Sequence, residues 1–106
     1  MYDKAVMQRT LDDLVVTLCA DYFRRKRLIE RRAATYSVIM ECRFLNYRIL
    51  DAASQIAGER DAEVFIREIG EGVGYANSAL DTMSERTYKE RKLEVKRAIA
   101  RRLSLF

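Results

Sequence analysis

At 106 residues and a net charge of +4, the chain suits one domain with a single modest core and an affinity for polyanions. It holds no histidine and only two cysteines, which removes the usual general base, the serine-histidine triad and a complete four-ligand zinc site, so we expect no enzyme, no metal and no cofactor. With no proline, few glycines and an abundance of Leu, Ala, Arg and Glu, the expected fold is all-α.

In chain order, the first expected helix runs from Tyr2 to about Arg32, where Leu11, Leu14, Val15, Leu18, Cys19 and Tyr22 make a continuous stripe. Its end is a basic cluster, Arg24, Arg25, Lys26 and Arg27, joined by Arg31 and Arg32 and flanked by Tyr22 and Phe23. Such a cluster suits a nucleic-acid backbone or a protein partner, and equally a solvated helix end favoured by the macrodipole. Near the N-terminus, Asp3, Asp12 and Asp13 interrupt any signal-like run, and the uncharged stretch from Leu14 to Ala20 is far too short to span a bilayer. Cytoplasmic residence without a membrane partner follows as the expectation. Cys19 and Cys42 lack close spacing; a disulfide between them is open in principle, but two small buried reduced thiols fit that compartment better.

Thr35 to Ala57 is the second strong helix and the expected core, with Val38, Cys42, Leu45, Ile49, Ala52 and Ile56 on one stripe and Met40, Phe44 and Tyr47 widening it. Neither Gly nor Pro separates it from the first helix. Either Thr35 caps a new helix or one long kinked helix passes through. Gly58 then reads as a stop, and Asp61 as the cap of a third helix, Ala62 to about Ile69, facing Val64, Phe65 and Ile69 inward. The acids Glu59, Asp61, Glu63, Glu68 and Glu71 read as helix-start and solvent-face residues. Gly70, Gly72 and Gly74 follow within five residues, as in a turn needing positive φ or close backbone approach. A phosphate-binding loop is disfavoured, because no strand precedes the glycines and no Gly-Lys-Ser/Thr ends them.

The last helix has its own start signal: Ser84 as N-cap, its hydroxyl accepting from Arg86 or Thr87, and Met83 placed to staple onto Tyr88. Tyr88, Val95, Ile99 and Phe106 share one face beside Ala98 and Leu103, which should bury. The opposite face carries Arg86, Lys89, Glu90, Leu93, Arg97 and Arg101, with Lys96 at its margin. Arg86, Lys89 and Glu90 occupy the positions from which the second helix of a helix-turn-helix reaches base edges in the major groove. An ordinary solvated surface helix has the same look. The charge is uneven: residues 1–34 sum to +3, residues 35–83 to −4 and residues 84–106 to +5, so two basic ends bracket an acidic middle.

The segments from Tyr47 to Ala53, Ile66 to Tyr75, Met83 to Lys92 and Ala98 to Leu103 resemble small phage and mobile-element transcription regulators of Gram-positive bacteria, of the ArpU and RinA kind. Their C-terminal part is similar to region 4 of bacterial sigma factors, and the stretch from Asp21 to Ile29 resembles their N-terminal basic box. The firmest motif is Ser84, Thr87, Tyr88 and Lys92 at the start of the last helix. This resemblance implies a helical bundle with a C-terminal helix-turn-helix-like element that binds double-stranded DNA; because one such helix reads only a few base pairs, a dimer or an RNA polymerase partner is expected with it. It assigns base contact to Arg86, Lys89 and Glu90 and phosphate contact to Ser84, Thr87 and Lys92; the helical wheel adds Lys96, and the preceding turn adds Tyr75 and Ser78. Tyr75 to Thr82, where a positioning helix belongs, offers barely two turns. The chain reads as a single domain, residues 1–57 giving two long helices and a homodimer interface and residues 58–106 the DNA-binding part. A helical adaptor for a protein partner, or a phage packaging protein of the small terminase subunit kind, is the competing expectation.

Overall fold

The computed structural model describes residues 4–80 and 82–104. Among them the fold is all-helical: α1 (Lys4–Ala20), α2 (Tyr22–Arg31), α3 (Tyr36–Ala57), α4 (Glu59–Glu71), a single 3-10 turn (Tyr75–Asn77) and α5 (Glu85–Arg102). The expected helix start at Tyr2 and the burial expected of Phe106 lie outside the described residues.

The first expected helix is two helices. It breaks at Asp21, whose φ of −90° and ψ of −2° lie at the margin of the α region while its carbonyl still accepts from the Arg25 amide. Beside the break, α4 crosses so closely that a Cβ on Gly70 would stand 2.6 Å from the Ala20 nitrogen. Gly70 is therefore a helical residue of close approach, while Gly72 supplies the positive φ, +69°, that ends α4. Both roles expected of that glycine run are present, on different glycines.

The break before α3 is also real, although no glycine marks it. Arg32 takes the left-handed conformation (φ 50°, ψ 42°), and the Arg32 and Ala33 amides donate to the Ile29 and Leu28 carbonyls, closing a Schellman end. Thr35 then caps α3 by accepting from the Val38 amide. At the other end one residue, Gly58 with φ +81°, both closes α3 and opens α4. The α4 helix thus starts at Glu59 and runs to Glu71; Asp61 sits in its first turn and is not its cap.

Helix α3 is the hub, packing on α5, α4 and α2, while α1 lies along α4. The core gathers Val15, Cys19, Tyr22, Ile49, Ala53, Phe65, Ile66, Tyr88, Val95 and Ile99, with the Phe65 and Tyr88 rings stacked 5.7 Å apart. Two parts of the expected stripes lie elsewhere. Leu14 and Val38 are exposed, and the residues expected to widen the α3 stripe, Met40, Phe44 and Tyr47, are 42%, 65% and 66% accessible. The wheel explains why: they lie on the side of α3 opposite Ile49 and Ala53, so they form a second apolar stripe and do not broaden the first.

Candidate nucleic-acid interface

Helix α5 begins as its sequence dictates. Ser84 is extended (φ −68°, ψ 158°), its Oγ accepts from the Thr87 amide at 3.2 Å, and its hydroxyl donates to Thr87 Oγ1 at 2.9 Å. Tyr88, Val95 and Ile99 are buried as expected, joined by Ala100. That fixes the rotation of the helix and turns Arg86, Lys89, Glu90, Leu93, Arg97 and Arg101 outward, all exposed.

The segment before α5 departs from a helix-turn-helix. Between α4 and α5 the described residues form one 3-10 turn, Tyr75–Asn77, in the place that belongs to a positioning helix, and a connection of that length far exceeds the three- or four-residue turn of such motifs. What holds it in place is Glu68, an acid expected on the solvent face and found 4% accessible. One of its oxygens accepts from Ser78 Oγ (2.6 Å) and Tyr88 Oη (2.8 Å), the other from the Ala79 amide (2.7 Å). Burial pushes the Glu68 pKa up, but the three donors outweigh it and leave it below the ordinary carboxylate value. Burial and the bond to Glu68 push the Tyr88 phenol up to about 12.

Several expected contact residues are consumed by this scaffold. Ser78 is bonded to Glu68, and the Tyr75 hydroxyl donates to the Met83 carbonyl at 2.8 Å. Lys92, expected on phosphate, donates to the Val73 carbonyl at 2.5 Å just past the end of α4, 5.6 Å from the Tyr88 ring centroid, and burial depresses its pKa. Ser84 and Thr87 spend their mutual bond on the cap. In the basic cluster, Arg25 reaches Asn46 Oδ1 (2.6 Å) and the Leu18 carbonyl (2.7 Å), with its pKa lowered by burial. Lys26 pairs with Glu63 at 2.8 Å, and that bond, aided by the Tyr22 hydroxyl, holds the Glu63 carboxyl below its usual range. The cluster therefore splits: Arg25 and Lys26 tie α2 to α1, α3 and α4, while Arg24 and Arg27 remain exposed and line a cavity of about 260 Å³ with Arg67 and Glu71.

Of the expected base contacts, Arg86 pairs with Glu90 at 3.1 Å and Lys89 with Glu85 at 3.0 Å. These are exposed i,i+4 pairs worth about 0.3–0.5 kcal/mol each, so a phosphate or base competes with them at little cost. Lys96 is half-buried. Arg97 and Arg101 are exposed, make no ion pair among the described residues, and sit in a stretch, residues 96–102, without an acid. No group of three or more His, Cys, Asp or Glu able to hold a metal occurs among the described residues. Cys19 and Cys42 are free thiols, and burial raises the Cys19 pKa to about 12, which makes it inert. No helix among the described residues is long and apolar enough to cross a membrane.

The sequence-level site thus missed Glu68, whose position three residues after Phe65 and one before Ile69 puts it at the edge of the buried arc. It also gave Arg97 and Arg101 a face but no contact. Compared with known proteins, the chain matches no family model, no curated protein and no solved structure.

Proposed function

We propose that this is a non-catalytic, double-stranded-DNA-binding helical protein that lays the outward face of α5 against the duplex. The observation that carries it is the distribution of cations on α5: Lys92 and Arg102 are bonded within the fold, to the Val73 carbonyl and to Asp51, whereas Arg86, Lys89, Arg97 and Arg101 stand outward along four turns. Positive charge spaced along one exposed helix face matches a run of phosphates and releases their counterions. The acid-free last two turns, residues 96–102, suit backbone contact, and Arg86, Lys89 and Glu90 at the N-terminal end suit base edges. A role in transcription, with RNA polymerase as a further partner, rests on the resemblance around Ser84 to Lys92. One helix reads few base pairs, which makes self-association through residues 1–57 part of the same proposal. The test is a titration of labelled random duplex, single strand and anionic liposomes at low salt. Binding to duplex above the other two is expected; binding to liposomes alone defeats the proposal.

The adaptor reading keeps one supporting observation, the exposed apolar stripe on α3.

A further inference from the structure

The outward side of α3 is the largest anomaly left on the surface. Tyr36, Met40, Phe44 and Tyr47 follow at spacings of four, four and three, a single helical stripe, and Tyr36 is 79% accessible. Three aromatic side chains that each cover about 150–250 Å² and stand 65–79% open offer roughly 300–500 Å² of largely apolar surface. That is the upper part of what a monomer ordinarily leaves bare, and with a polar rim it reaches toward the roughly 800 Å² per partner of a stable interface.

We infer that this stripe is the self-association face, packing antiparallel against the same stripe of a second copy about a two-fold axis close to Phe44. The inference deepens the self-association proposed above and rests on it. Three features select a second copy over a foreign chain. Glu41 and Arg48 stand seven residues apart on one flank of α3, so an antiparallel pair centred between them sets Glu41 of each copy against Arg48 of the other, twice over. The half-buried Arg48 guanidinium donates through one nitrogen to the Arg102 carbonyl, which fixes it 5.5 Å from the Phe44 ring centroid, beside the inferred axis, with other N–H groups left for Glu41. The same register carries Tyr36 of each copy over a concavity of about 300 Å³ next to Tyr47 and Leu50 of the other. Its rim holds Asp51, Ser54, Glu59 and Glu63, acceptors for the tyrosine hydroxyl. Ridge, hollow and charge are thus self-complementary, as an isologous contact requires.

Sedimentation equilibrium from micromolar to near-millimolar protein, with far-UV circular dichroism as the folding control, tests this. The wild-type chain should be a reversible dimer, and Phe44→Glu should stay folded while its dimer dissociation constant rises by about a hundred-fold or more. Tyr36→Glu, remote from the axis, gives an independent second reading should Phe44→Glu fail to fold. Leu93→Glu, on the exposed face of α5 and away from α3, should leave the dimer dissociation constant unchanged. In a Cys42→Ala background, Phe44→Cys should cross-link to a covalent dimer under mild oxidant. A dimer that survives both Phe44→Glu and Tyr36→Glu overturns the assigned face while leaving self-association intact. A monomer at every concentration overturns both.

Discussion

Replacing Glu68 by alanine should loosen the approach to α5 and cost about 3 kcal/mol of stability. The carboxylate takes three hydrogen bonds at 2.6, 2.7 and 2.8 Å, each of the kind worth about 1.5–3 kcal/mol when one partner is charged. The losses do not simply add. Ser78 is only half-buried and Ala79 is exposed, so both donors can turn to water. The Tyr88 hydroxyl cannot: its residue is 1% accessible, and the nearby Val73 carbonyl is a weak substitute at 3.4 Å. Stranding it costs about 1–3 kcal/mol, and the vacated side-chain volume adds about another. Against a total stability of about 5–15 kcal/mol this is readily measured. Urea unfolding should show the lowered midpoint at unchanged slope, and amide exchange should quicken first around residues 75–80. A double-mutant cycle of Glu68→Gln with Tyr88→Phe should give a coupling of at least about 1 kcal/mol. A Glu68→Ala protein within about 0.5 kcal/mol of wild type would refute the buried-carboxylate scaffold.

Three further outcomes follow from the same structure. The Glu68 and Glu63 pKa values lie below their unfolded ones, so the unfolded chain takes up protons first on acidification. Their contribution should be whole above about pH 5 and drain away as pH falls through the depressed values, and Glu68→Gln should flatten part of that slope in pH-dependent melts. Gly70→Ala should destabilise by about 3 kcal/mol or more because the methyl meets the backbone of Ala20, where an open helical site would gain up to about 1 kcal/mol; neutral behaviour in thermal melts would move α1 away from α4. Arg25→Ala should cost about 2 kcal/mol by stranding the buried Asn46 Oδ1, while Arg24→Ala, with only an exposed 3.7 Å pair to Asp21, should stay within about 0.5 kcal/mol; equal effects in urea titrations would return both to one solvated patch.

What the sequence made legible is what local rules govern. Ser84, Thr35 and Gly58 cap or stop helices through bonds to residues three or four away, and the α5 face falls out of a 3.6-residue period. The Asp21 break and the left-handed Arg32 were not legible, because packing against α4 and a Schellman closure impose them on residues with no such preference. Nor was the duty of Lys92 or Glu68, whose partners lie 10 to 20 residues away in the chain. The ion pairs on α5 are local too: Glu85 with Lys89, and Arg86 with Glu90, stand at i,i+4 and announce their pairing in the sequence itself. Met40, Phe44 and Tyr47 show the opposite error, since periodicity finds an apolar stripe but does not say whether the core or the solvent meets it.

The central claim is that the outward face of α5 neutralises duplex phosphates, and fluorescence anisotropy across a salt series reads it directly. Log affinity should fall linearly with log salt, with a slope of about −0.9 per phosphate contacted. The double variant Arg97→Ala/Arg101→Ala, which touches no described ion pair, should keep its melting temperature yet lose about two units of that slope on every duplex. A wild-type chain that binds no duplex even at low salt, or a double variant with the slope unchanged, would contradict the assignment.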